Sequence, residues 1–147
     1  MIYWRMQLHP DEPHRGTEFA ARSLCAGFIG LDHSTDIGDM RSSPNNLPSS
    51  KRDYFDLALR MTIGDKVLII SHHRPFALAT VDSEYFYVTE RQPELNVWFR
   101  HFRRVKEIRF VGDLITNLRL VPELKMTDTI GRVGPHTKSY KFMDEHY

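Results

Sequence analysis

The fold of this chain is decided by residues 64–88, GDKVLIISHHRPFALATVDSEYFYV. After a Gly-Asp turn, an uninterrupted apolar run covers Val67–Ile70, and a second run covers Phe76–Val81 after the corner His72–Pro75. A strand that is buried on both faces carries continuous apolar residues rather than alternating ones. The two runs therefore predict a hairpin at the centre of a small curved sheet.

The length of 147 residues predicts one domain, residues 1–147, with a core of its own. A single cysteine, Cys25, excludes an internal disulfide and a cysteine-based zinc site, and it is typical of a reducing cytoplasm. Its position in a short helical segment predicts a buried, unreactive thiol. The sequence shows no secretory signal and no membrane-spanning run, so we expect a cytoplasmic protein without a membrane partner.

Strands and helices are also predicted before the hairpin. The strands are residues 1–8 and Phe28–Leu31, and a short helix between them is expected to begin with Thr17 as its N-cap. A second helix is expected to start at the capping box Ser50–Asp53. Its apolar residues recur at helical spacing and predict a face turned to the sheet: Tyr54, Leu57, Ala58 and Met61.

A long strand is predicted over residues 96–110, with one irregularity. Phe102 and Arg104 share one parity along the strand, whereas Val105 does not, and one residue out of phase is typical of a β-bulge, which curls a sheet. The predicted fold class is therefore α+β: a curved mixed sheet or barrel of five or six strands with two or three flanking helices. Beyond Gly112 the patterns are weaker: Leu114–Val121 fits either a strand or a helix, and Lys125–Tyr147 is mixed and interrupted by Gly and Pro.

Positive charge is concentrated in one stretch. The formal net charge is only +1, but residues 100–109 read RHFRRVKEIR. A local basic stripe on a nearly neutral domain favours an anionic partner on one face. The alternative interpretation, a solvated edge strand that its charges keep from aggregating, stays open.

The common catalytic patterns are missing. The sequence has no G-x-S-x-G, no H-E-x-x-H and no G-x-G-x-x-G after a strand. Residues 134–139, GPHTKS, end like a phosphate-binding P-loop, but Thr137 stands where the second glycine is needed. The motif search therefore identifies no catalytic pattern in this sequence.

No metal or other cofactor is expected. Asp32, Asp36 and Asp39 share one long polar loop, but turn and cap roles are favoured for them over metal ligation. His72 and His73 are adjacent, so on a regular strand they would point to opposite faces. A solvent-facing turn pair is the favoured interpretation for these two histidines.

Aromatic residues accompany the basic stripe. Trp4, Tyr85, Trp98 and His33 are predicted at strand ends or beside loops, and Arg100 follows Trp98 by two positions. Aromatic side chains stack on nucleobases for about 1–3 kcal/mol per base, while Arg and Lys neutralise phosphates. Together these residues favour nucleic-acid binding.

A succession of short motifs resembles the EVE-like branch of the PUA superfamily, which is related to YTH domains. The resemblance is greatest to the modified-base-reading N-terminal domains of McrBC-type restriction systems, and it covers residues 1 to about 110. The motifs are Tyr3-Trp4-Arg5, Phe28-Ile29-Gly30-Leu31, Ile37-Gly38-Asp39-Met40, Gly64-Asp65-Lys66-Val67, Tyr85-Phe86-Tyr87 and Val97-Trp98-Phe99-Arg100.

This resemblance implies a reader rather than an enzyme. Such domains bind a flipped or single-stranded base in an aromatic cage between the sheet and the loop after the second strand. The implied function is recognition of a methylated or hydroxymethylated base in DNA. The implied setting is a restriction or anti-phage system in which the partner is a nuclease or motor subunit and any cleavage of the DNA belongs to that partner. The implied nucleic-acid-binding residues are Trp4, His33, Asp39, Tyr85, Trp98, Arg100, Arg103 and Arg104.

One position departs from the family pattern, and other functions stay open. Related domains often have a tryptophan just after the second strand, where this chain has Asp32-His33, so Trp4 and Trp98 are expected to carry the cage. One alternative is an RNA-binding PUA or ASCH-like domain with ribonuclease activity, in which Tyr85 or His101 would act near Arg100. Another is a protein-interaction module whose basic stripe faces an acidic partner.

Overall fold

The computed structural model describes residues 1–8, 15–32, 36–42, 52–95 and 98–147. The strands in these ranges are β1 (Tyr3–Met6), β2 (Phe28–Leu31), β3 (Lys66–Ser71), β4 (Arg74–Val81), β5 (Phe86–Tyr87), β6 (His101–Phe110) and β7 (Ile130–Arg132). The α-helices are α1 (Gly16–Cys25), α2 (Arg52–Phe55), α3 (Val111–Leu114) and α4 (Lys138–His146). A π-helical segment (Asp56–Arg60) and two short 3-10 turns (Pro93–Leu95 and Leu118–Leu120) complete the described elements.

The strands form one curled mixed sheet. Its order is β2-β6-β4-β3-β1-β7, and β5 pairs with β6 beside β2. β1 and β3 run parallel, whereas the other pairs are antiparallel. The predicted α+β class with a curved mixed sheet and flanking helices is confirmed, and the arrangement is consistent with a PUA-like barrel.

The central hairpin has the two-sided burial that its sequence predicts. Val67 and Ala79 pack in a core cluster with Leu24 of α1 and Leu57 of the π-helical segment. Leu68 and its partner Leu78 pack on the other face, in a cluster with Phe142 and Met143 of α4. Both faces of this hairpin are therefore covered, which is why neither run alternates with polar residues.

A tight two-residue turn joins β3 to β4. His72 and His73 have φ angles of 50° and 61°, the left-handed pair that a hairpin turn of this hand requires. Both side chains are exposed, as predicted for a solvent-facing pair. His73 also holds a distant segment, because its Nδ1 accepts a hydrogen bond of 3.1 Å from the backbone N–H of Met126.

The helix after the long loop keeps its predicted apolar face but changes its winding. All four predicted residues are buried: Tyr54, Leu57, Ala58 and Met61. After α2 the chain becomes π-helical, and the Met61 N–H donates to the carbonyl of Asp56, five residues back. Ser50 of the predicted capping box lies outside the described residues.

β6 is shorter than predicted, and it contains the predicted bulge. The strand begins at His101 rather than at residue 96. Its pairing with β4 shifts register between Leu78 and Thr80, and Glu107 on the bulged strand has a φ of 52°. The extra residue moves the pairing register by one, so the inward-facing positions change from His101, Arg103 and Val105 to Ile108 and Phe110; the parity difference between Arg104 and Val105 is ordinary alternation.

Two local predictions are wrong. The Cys25 side chain is exposed, because it is the last residue of α1 and lies off the buried face formed by Phe19, Ala20 and Leu24. Thr17 lies inside α1 rather than at its N-cap, which is Arg15 and has no side-chain cap bond. Periodicity over ten residues does not determine where the first turn begins.

The part of the chain beyond residue 110 completes the second core. Leu124, Met126 and Phe142 pack with Leu68 and Leu78 of the hairpin. In the loop that resembled a P-loop, Thr137 is the N-cap of α4, and its Oγ1 accepts a hydrogen bond of 3.1 Å from the Tyr140 N–H. Among the described residues, no helix is long and apolar enough to cross a membrane.

Candidate functional site

A group of polar and aromatic side chains meets where β6 begins, and we call it the His101 cluster. Pairing positions it: Leu31 of β2 and Tyr87 of β5 both lie opposite His101. The polypeptide leaving β2 then lies across the same end of β6. The cluster consists of Asp32, Asp36, Tyr85, Tyr87, Arg100 and His101.

Close packing beside the cluster requires a glycine in β2. A Cβ atom on Gly30 would lie 2.2 Å from a ring carbon of Phe99 and 2.4 Å from the carbonyl oxygen of His101. The backbone oxygen cannot move aside without disturbing the pairing of β2 with β6. Gly30 therefore allows the loop after β2 to be positioned over the start of β6.

Asp32 anchors this loop through a buried carboxylate. It accepts hydrogen bonds from Arg100 Nε (2.9 Å) and Nη2 (3.0 Å) and from Arg91 Nε (2.9 Å). Burial raises the pKa of the Asp32 carboxyl, but the hydrogen bonds and charges of Arg100 and Arg91 outweigh it and hold the pKa below its ordinary value. Arg100 therefore has a structural partner inside the protein.

Tyr85 and His101 form the buried centre of the cluster. The Tyr85 hydroxyl lies 2.6 Å from His101 Nδ1 and accepts a hydrogen bond from the Met40 N–H at 3.3 Å. Burial lowers the pKa of His101 to about 4 and raises the pKa of Tyr85 to about 12, so both groups are neutral at neutral pH.

A neutral imidazole has two tautomers, and the Met40 N–H assigns the hydrogen-bond roles: it already donates to the Tyr85 oxygen, which leaves Nδ1 as the acceptor for the hydroxyl proton. The Tyr85 hydroxyl donates to Nδ1, so the neutral imidazole carries its proton on Nε2. That Nε2–H is buried and has no hydrogen-bond partner among the described residues. A buried donor left unpaired costs about 1–3 kcal/mol, so this atom is a candidate contact for a ligand acceptor.

Tyr87 and Asp36 form the more accessible part of the cluster. The Tyr87 hydroxyl donates to Asp36 Oδ2 at 2.5 Å, and this hydrogen bond is the main reason why the pKa of Tyr87 is raised to about 12. The Tyr87 ring centroid lies 5.0 Å from that of His101. The half-buried ring thus covers the imidazole and faces the loop.

Asp39 and Arg41 lie beside the cluster on the same loop. Arg41 donates to both carboxylate oxygens of Asp39, with its shortest contact at 2.6 Å. The Arg41 guanidinium also lies 5.6 Å from the ring centroid of Tyr85. The predicted site residue Asp39 is therefore an ion-pair partner next to the aromatic group, and His33 lies outside the described residues.

Trp4 lies in the core, which corrects the prediction that it carries the cage, whereas for Trp98 that role stays a prediction. Trp4 is 1% exposed in the core, and its Nε1–H donates to Asp65 Oδ2 at 2.9 Å. Trp98 is half-buried against α1, with its ring centroid 4.7 Å from that of Phe19. The Trp4 indole is thus a core side chain bonded to Asp65, and the Trp98 indole packs against Phe19 of α1.

The predicted basic stripe divides between the two faces of β6. Arg103 is buried and donates to three carbonyl oxygens, those of Leu57 (2.6 Å), Ala58 (3.0 Å) and Ser83 (3.0 Å). It satisfies carbonyls at the end of the π-helical segment, so its predicted contact with nucleic acid is corrected to a structural role. Arg104, one residue on, is exposed.

The sequence reasoning missed several members of the cluster. Asp32 and Asp36 were interpreted as turn residues, and His101 was considered only as part of the basic stripe and in the ribonuclease alternative. A usable signal existed for Asp32, because a carboxylate directly after an apolar strand faces an arginine at the start of another strand. The pairing of β2 with β6 was needed to recognise it.

Comparison with known proteins adds no relative. No protein-family model matches the chain, and no curated protein matches its sequence.

Among the described residues, no group of three or more His, Cys, Asp or Glu side chains is arranged to hold a metal ion.

Proposed function

We propose that this chain is a nucleic-acid-binding domain that reads a methylated or hydroxymethylated base in DNA. The base would be flipped out of the duplex and bound at the His101 cluster, and the domain would serve a restriction or anti-phage system together with a nuclease or motor subunit. The supporting observation is the loop after β2, which is tied by Asp32 across an aromatic group whose central histidine carries an unpaired N–H.

The chemistry of the cluster suits an uncharged aromatic ligand. Tyr87 offers a half-exposed ring for stacking, and neutral His101 offers a donor for a ring nitrogen or carbonyl of a base. Flipping a base costs a few kcal/mol, which stacking and edge hydrogen bonds must offset. A methyl or hydroxymethyl group would add contact area against the Tyr87 ring, and this gain would separate modified from unmodified bases.

Two exposed arginines would contact phosphates: Arg104, on the outward side of β6, and Arg41, which would share its charge between Asp39 and a phosphate. Arg104 is exposed on β6, three positions from His101, and Arg41 is exposed on the loop. Each phosphate contact made by an arginine strengthens binding at low salt and adds close to one unit to the salt dependence. These side chains replace Arg103 in the proposed interface.

A binding assay with matched duplexes tests the proposal. The duplexes carry one 5-methylcytosine, 5-hydroxymethylcytosine or N6-methyladenine, or no modification, and affinity is measured by fluorescence anisotropy. We expect one modified duplex to bind about tenfold more tightly than the unmodified one, because the added group enlarges the contact with the Tyr87 ring. Tyr87→Ala should abolish this preference, whereas Arg104→Ala should weaken binding to all duplexes.

The control variant is Lys141→Ala, since Lys141 is exposed on α4, which packs on the other face of the sheet. Equal affinity of the folded protein for all duplexes at moderate salt would refute modified-base reading. Tighter binding of a methylated RNA than of the same DNA would favour the RNA alternative. Cleavage of labelled RNA that is lost in His101→Gln would favour the ribonuclease alternative.

A further inference from the structure

A second concave surface lies at the opposite end of β6. We call it the Phe110 groove; it encloses about 750 Å³. Its main lining residues are Arg74, Pro75, Phe76, Phe110, Val111 and Arg119. From the length of β6, about 30 Å separates this groove from the His101 cluster.

The floor of the groove is an aromatic corner. The rings of Phe76 and Phe110 have centroids 5.5 Å apart and planes inclined at 74°. Both side chains are only partly buried, and Pro75 and Val111 extend the apolar surface on either side. These two rings are in direct edge-to-face contact and form a corner against which one bulky apolar side chain packs, whereas stacked bases need a flat platform.

The rim of the groove is positively charged. Arg74 and Arg119 are both exposed, and no carboxylate is among the described residues that line the groove. Arg74 donates through Nη1 to the Val121 carbonyl at 3.0 Å, which holds its guanidinium beside the groove. Arg119 forms no ion pair with another described residue.

We propose that the Phe110 groove binds an acidic peptide segment of a partner protein, which packs one large apolar side chain against the corner formed by Phe76 and Phe110. Carboxylates that flank this anchor pair with Arg74 and Arg119. An apolar pocket with a charged rim is the usual arrangement of a protein-interaction anchor site. Its distance from the His101 cluster leaves that cluster free while the partner is bound.

A defined peptide set tests this proposal. Twelve-residue peptides carry one Leu, Ile, Phe or Trp between two pairs of Glu, and matched sets replace Glu by Lys or the anchor by Ala. Binding to the full chain is followed by amide chemical shifts in 1H–15N spectra. We expect the acidic anchored peptides to shift the signals of Phe76, Phe110 and Val111, and the two matched sets to bind about tenfold more weakly.

Two variants and a control define the outcomes. Arg119→Glu should weaken the acidic peptides about tenfold and favour the lysine set, and Phe110→Ala should remove the anchor preference. Lys141→Glu, a charge reversal on α4, should leave binding within about twofold. The proposal is overturned if no anchored acidic peptide binds at millimolar concentration. It is also overturned if an oligothymidylate shifts the signals of Phe76, Phe110 and Val111 more strongly than the peptides do. Because Arg119→Glu reverses one exposed charge, its result does not depend on the packing of Phe110.

Discussion

The two ends of β6 show how one strand builds two different surfaces. At its beginning, Arg100 donates to Asp32, and Tyr85 hydrogen-bonds to His101. These polar and charged groups are therefore paired within the protein. At its end, Phe110 is only partly buried in a groove whose rim arginines face solvent. The first end is organised by hydrogen bonds within the fold, whereas the second leaves apolar and charged surface for a partner.

The difference shows that the charge of a residue does not determine its role in this strand. Alternation along β6 directs Arg103 inward and Arg104 outward, although the two are neighbours. Lys106, on the same outward side as Arg104, pairs with Asp82 at 3.0 Å. A basic run read from sequence therefore overstates the positive surface, because some of its members pair inside the protein or with nearby acids.

The largest expected effect comes from the adjacent arginines. Arg103→Ala should lower the free energy of unfolding by about 3–5 kcal/mol, because three buried carbonyls lose their donor and a cavity replaces the side chain. Arg104→Ala should change it by less than about 0.5 kcal/mol. Urea unfolding at pH 7 measures both, and equal effects would contradict the division of the stripe.

A smaller loss of stability is expected at the anchor of the loop. Asp32→Asn should lower the free energy of unfolding by about 1–3 kcal/mol, because Arg100 and Arg91 lose a buried carboxylate partner. Asp39→Asn is the matched control: its pair with Arg41 is more exposed and should contribute less than about 1 kcal/mol. If both variants were equally stable, Asp32 would not anchor the loop.

The pH dependence of stability tests the buried histidine. The pKa of His101 is lowered from its ordinary value to about 4, so between pH 6.5 and 4 only the unfolded chain takes up this proton. The free energy of unfolding should therefore fall as the pH is lowered through this range, by up to roughly 3 kcal/mol from this group.

The variant His101→Gln separates this contribution from those of other groups. Its free energy of unfolding should depend less steeply on pH between 6.5 and 4, whatever its stability at pH 7. An unchanged slope in His101→Gln would mean that folding does not lower the pKa of His101, which would contradict a buried imidazole that stays neutral.

The sequence could predict the parts of the fold that depend on near neighbours in the chain. The hairpin, the apolar face from Tyr54 to Met61 and the bulge in β6 all follow from periodicity, because burial repeats with the geometry of the local element. The candidate site was predicted less well. Tyr85 and Arg100 lie in the cluster, whereas Trp4 lies in the core. Its indole donates to Asp65, which is 61 positions away in the sequence, and a local pattern does not reveal such a contact.

The sequence alone thus determined the central sheet of this protein, since continuous apolar runs can be satisfied only where both faces are covered. Only the tertiary structure decided which polar residues pair with other groups of the protein and which keep an atom that a ligand can contact. The pairing of β2 with β6 brings Asp32 to Arg100, and the pairing of β5 with β6 brings Tyr87 to His101. These contacts join residues 14 to 68 positions apart, and a chain pattern carries no information about such distances.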